Sequence, residues 1–123
     1  MLLRVGIILQ TLLIFVQAIT AGLLLSSPGT HVLHSIGAYG VFFAALLYLL
    51  ATVLVWRPGG GSPRPILYAV VFFVLTLAQI ALGIAHVKAV HVPLGVLMFG
   101  GSVLQLGRVT AGRRPQPVGA ASR

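Results

Sequence analysis

HVLHSIGAYGVFFAALLYLLATVLVW, residues 31–56, contains no lysine, arginine, aspartate or glutamate. A helix rises about 1.5 Å per residue, so a run of this length crosses a hydrocarbon core of about 30 Å. Its apolar residues are continuous and do not alternate, which favours a helix over a strand of a membrane barrel. The flanking sequence reads alike. Leu2 to Leu25 is apolar except for Arg4, Gln10, Gln17 and a few small residues, and Pro65 to His86 and Val90 to Gly107 are two further runs, the last only just long enough. Ser26-Ser27-Pro28-Gly29 breaks the chain after the first run, and the proline- and glycine-rich segment from Arg57 to Arg64 breaks it after the second. Only Val87, Lys88 and Ala89 separate the third run from the fourth, so a tight turn is expected there. The pattern predicts an all-α integral membrane four-helix bundle over residues 1–108. A disordered basic cytoplasmic tail is expected over 109–123, where Arg, Pro, Gly and Ala dominate.

Composition supports lipid as the solvent. The chain is 59% hydrophobic and 7% charged, too few charges to give 123 residues a water-facing surface. The first apolar run exceeds the roughly 7–15 residues of a signal-peptide core and is read as a retained helix. All the arginines (Arg4, Arg57, Arg64, Arg108, Arg113, Arg114 and Arg123) fall on one side of a four-span arrangement, and Lys88 falls on the other. The positive-inside rule then places both termini in the cytoplasm of a multi-pass protein of the cell inner (plasma) membrane. Trp56 and Tyr68 lie near the inner interface. The net charge of +8 does not point to nucleic acid, because the charges sit at segment ends and form no basic stripe.

With no cysteine, aspartate or glutamate, the chain has no disulfide, no thiolate or carboxylate metal ligand and no carboxylate to orient a Ser–His pair. Hydrolytic chemistry is disfavoured, and the chain reads more as a non-enzyme. Histidine is its only ligand for a metal or haem. His31 and His34 open the second helix behind Thr30 as an N-cap, His86 closes the third, and His91 opens the fourth with Pro93 in its first turn. All four lie toward the outer face.

Helical spacing groups other residues with them. His91, Gly95, Met98, Ser102 and Gln105 form one stripe; His34, Gly37, Val41, Ala45 and Tyr48 form a second; Gln79, Gly83 and His86 form a third. Glycine one turn from a histidine lets backbones approach or leaves room for a flat macrocycle. The glutamines are read first as packing groups between helices. Gln17 to Gly22 is also similar to Gln79 to Gly83, and His34 to Gly37 is similar to His91 to Gly95. The chain then divides into two repeated helical hairpins with His34 and His91 in equivalent places.

At these residues the chain resembles one four-helix half of haem A synthase. The pattern Gln79-Ile80-Ala81-Leu82-Gly83 followed by His91, and Gln17 to Gly22 followed by His34, carry the resemblance over about Gln10 to Arg108. In that family each half offers one histidine from its second helix and one from its fourth. The resemblance implies haem b held by His34 and His91 as axial iron ligands. Ser35 and Val92 follow the histidines where that family has arginine, and His31 occupies the place of a glutamate in its substrate-processing half. Haem A synthesis is therefore not implied. The chain also resembles small, uncharacterised four-helix membrane proteins of high-GC bacteria, which share the two helix-opening histidines.

Two functions follow as expectations. The first is haem b bound by His34 and His91, with Gly37, Gly95 and Lys88 contributing and His31 and His86 as secondary candidates. It would serve electron transfer or haem handling, with a respiratory or haem-handling membrane complex or a second copy as partner. The second is a cofactor-free structural or accessory subunit with interfacial histidines. A histidine-based ion path is a third and weaker reading.

Overall fold

The computed structural model describes residues 1–111 and contains four long helices. They are α1 (Leu2–Ser26), α2 (His31–Trp56), α3 (Arg64–Ile84) and α4 (Lys88–Ala111). Each is long and apolar enough to cross a membrane. Helix α1 packs against α2 and α4, and α3 packs against α2 and α4. Among the described residues neither α1 and α3 nor α2 and α4 come close in their backbones, so each of those pairs lies on a diagonal of a four-cornered bundle. Short connections between long apolar helices enforce this neighbour-to-neighbour order.

Boundaries moved at three places. Helix α3 stops at Ile84, two residues short of the expected His86. His86 instead lies in the turn with φ 56, where its N–H bonds Gly83 O at 3.1 Å and Val87 N–H bonds Leu82 O at 3.0 Å. That is a left-handed helix cap, ordinarily a place for glycine. Helix α4 begins at Lys88 and continues to Ala111, so residues 109–111, expected in the tail, are helical. The rest of the expected tail lies outside the described residues. Thr30 does occupy the N-cap of α2, but its hydroxyl donates to Ser27 O at 2.8 Å and caps no helix N–H.

The buried residues are gathered away from the histidines. Ile14, Val41, Ala45, Phe72 and Met98 form one apolar layer. Ile7, Tyr48 and Ala69 form a second, nearer the end that holds Arg4 and Arg57. The large apolar side chains left on the outside, such as Leu67, Leu97 and Leu104, face the surroundings as a membrane protein requires. Lipid is as apolar as leucine, so burial alone does not hold such a bundle together. Close packing of small residues and interhelical hydrogen bonds do. Gly6 illustrates the packing: a methyl group there would come 2.9 Å from Tyr48 Cδ2, so this glycine lets α1 lie against the fully buried Tyr48 ring.

Candidate functional site: a histidine pair held by two glutamines

His34 begins the inward-facing stripe of α2 and His91 that of α4. These helices are diagonal partners, so two side chains aimed at the bundle axis meet across it. The ring centroids of His34 and His91 are 6.0 Å apart, with an interplanar angle of 68°. Deeper along the same stripes, Val41, Ala45 and Tyr48 of α2 and Met98, Ser102 and Gln105 of α4 are buried. The third stripe holds at Gln79 and at Gly83, where a methyl group would come 3.4 Å from His91 Cε1, but His86 has left the helix.

Each histidine is fixed by the preceding helix of its own hairpin. Gln79 Nε2 donates to His91 O at 2.9 Å, and His91 Nδ1 lies 3.0 Å from Gln79 O. A carbonyl oxygen only accepts, so Nδ1 carries the proton and Nε2 keeps its lone pair. In the other hairpin, Gln17 Nε2 donates to His34 O at 2.8 Å and lies 3.4 Å from His34 Nε2. An amide nitrogen only donates, so His34 Nε2 is again the acceptor. His34 Nδ1 then donates to Thr20 Oγ1 at 3.2 Å, and Thr20 passes its own proton to Gln17 O at 3.0 Å. The two arrangements match, with Thr20 interposed between ring and carbonyl in the first hairpin. His91 thus has a ligand nitrogen with an open lone pair and a proton-bearing nitrogen tied to a partner, the arrangement found at metal-binding histidines. The His34 Nε2 lone pair instead accepts from Gln17 Nε2, which would have to give way to a metal.

Gly37 and Gly95 have a definite part. A methyl group on Gly37 would overlap Gln17 Oε1, and one on Gly95 would come 2.9 Å from Gln79 Nε2. These glycines make room for the glutamine clamps and do not themselves line a space beside the rings. Replacing Gly37 with Ala should push Gln17 off His34 and cost about 1–3 kcal/mol of stability through overpacking. Gly22 has open space around it, so Gly22→Ala should be neutral or gain up to about 1 kcal/mol. Unfolding curves of the two variants check this, and equal curves would contradict it.

Lys88 stands at the first turn of α4 and is exposed, as are His31 and His86. The structure brings together His34 and His91 and leaves these three at the periphery. Gln17, Thr20 and Gln79 are the residues that reading the sequence undervalued. Their signal was present, since each glutamine is the polar break in its span that begins the hairpin similarity. Among the described residues no three or more His, Cys, Asp or Glu side chains converge as a metal-binding group. No family model, curated protein or solved structure matches the chain.

Proposed function

We propose that this chain binds haem b between His34 and His91 and serves electron transfer or haem handling beside a respiratory or haem-handling membrane complex. The observation that carries the reading is the pair of rings meeting across the bundle diagonal, with Nε2 the unprotonated nitrogen of each and that of His34 shared with Gln17 Nε2. The donor set suits the group. Two histidines cannot complete the coordination of a bare cation, whereas a porphyrin brings four nitrogens of its own and needs only axial ligands. His34 and His91, with ring centroids 6.0 Å apart, would be the residues that hold the group. When bound, haem supplies one-electron chemistry. Gln17, Thr20 and Gln79 hold the two rings, and Lys88, in the first turn of α4, would be the residue to meet the propionates. The resemblance to one half of haem A synthase agrees with this assignment.

Protein purified from haem-replete cells should show a Soret band at near one haem per chain. A folded protein with no such band would replace this reading with the cofactor-free accessory subunit.

The site faces outward if both termini and the α2–α3 connection are cytoplasmic, as the arginine distribution implies. Gly59 and Gly61 abut Val55 O, and Gly60 has φ 68, so Ser62 is the better place for a labelling cysteine. Ser62→Cys in intact cells should resist a membrane-impermeant maleimide and react after lysis. Labelling from outside would invert the topology.

A further inference from the structure

A second polar cluster lies on the other side of the apolar layer, away from the histidines. Gln10 and Ser102 are 0% exposed, and Thr11 is 8% exposed. Gln10 Nε2 donates to the Tyr68 hydroxyl at 2.9 Å and to Ser102 Oγ at 3.4 Å. Thr11 Oγ1 gives its single proton to Ile7 O at 2.7 Å, so in the 2.8 Å contact between Thr11 and Ser102 the serine donates. The protons of Gln10, Thr11 and Ser102 are then placed. Gln10 Oε1 is buried without a partner. Turning the amide round would let its oxygen accept the Tyr68 proton but would strand both amide N–H protons, so either orientation leaves the amide short of a partner.

We propose that Gln10 Oε1 binds an ordered water molecule in the membrane-spanning core, forming a site with Thr11, Tyr68 and Ser102. The missing group must donate a proton to an amide oxygen. No lysine or arginine belongs to this cluster, and the tyrosine hydroxyl of Tyr68 already meets the nitrogen end of the amide. Water is small and neutral, and it both donates and accepts, so it can also take the proton that Tyr68 has to give. A monovalent cation would meet one amide oxygen and neutral hydroxyls in a chain without any Asp or Glu. Burying that charge in a low dielectric without a counter-charge is strongly unfavourable. An amide oxygen left dry is unfavourable too, and one water removes that penalty. Haem binding plays no part in this assignment.

The test uses the wild-type protein in lipid nanodiscs. Selective labelling of the glutamine side-chain amides with nitrogen-15, with Gln10 assigned by its loss in Gln10→Met, allows water cross-peaks to be recorded. The Gln10 amide should show a cross-peak to a long-lived water. Infrared spectra in water enriched in oxygen-18 should show a shifted, isolated O–H stretch. Gln79 Oε1, at the histidine end, is buried without a partner too, so the band is assigned by its response. Tyr68→Phe should move the Gln10 band, and Gly22→Ala, in open space at the other end of the bundle, should not. Absence of both the cross-peak and the oxygen-18-sensitive band in the wild-type protein would overturn the proposal. So would a Gln10 amide signal that responds to replacing sodium with choline, which would mark a cation in place of water.

Discussion

Replacing His34 or His91 with Ala is expected to abolish the Soret absorbance of protein purified from haem-replete cells, or to convert it to that of a five-coordinate haem. Each ring presents one acceptor nitrogen and stands across the bundle diagonal from the other, 6.0 Å between centroids. Removing one would leave the proposed haem iron with a single histidine, and the chain has no cysteine, Asp or Glu to replace the other. The same substitution at His31 or His86 should leave the spectrum close to wild type, because both are exposed at the periphery of the pair. An unchanged spectrum in His34→Ala and His91→Ala would remove these residues as ligands. Circular dichroism on each variant separates loss of haem from loss of fold.

Tyr48→Ala should have the largest effect on stability and little effect on the histidine pair. Tyr48 is 0% exposed, fits against Gly6, packs with Ile7 and Ala69, and accepts from Gln105 Nε2 at 3.3 Å. Its ring also meets Tyr68 edge-on, with centroids 6.0 Å apart. Truncating a buried aromatic ring costs about 3–5 kcal/mol in water-soluble cores. The lower end, about 3 kcal/mol, is appropriate here, because detergent or lipid solvates the unfolded apolar chain and leaves chiefly the packing and hydrogen-bond losses. Unfolding in mixed micelles should show that loss. The apolar layer of Ile14, Val41, Ala45, Phe72 and Met98 separates Tyr48 from the histidines, so the residual folded protein should keep its site. A Tyr48→Ala curve that overlays the wild type would contradict the packing described.

The spans were legible because membrane helices state themselves through length and continuous apolarity, with little dependence on partners. The bounds of α2 match the run of residues 31–56 to the residue. The α3–α4 turn was less legible. His86 adopts a left-handed backbone that sequence preference assigns to glycine, so it reads as the last helical residue when it is the turn itself. The inward faces of α2 and α4 followed from spacing, since the small and polar residues among leucines mark the packed side. The glutamine clamps did not follow. A glutamine in a membrane helix reads equally well as a general packing group, and only the position of the neighbouring helix shows that Gln17 and Gln79 each reach the backbone carbonyl of a histidine. Thr20 was hidden for the same reason. Its role exists only because His34 Nδ1 arrives beside it from another helix.

Electron paramagnetic resonance of the oxidised, purified protein tests the central claim most directly, because it reports the axial ligands of the iron. Two imidazoles on a ferric haem give a low-spin, six-coordinate signal, and that signal is expected here. The hyperfine coupling from the bound imidazole nitrogens should change from a nitrogen-14 to a nitrogen-15 pattern when histidine is labelled with nitrogen-15. A high-spin, five-coordinate signal would show that His34 and His91 do not act together. A folded protein with no haem signal would contradict the account.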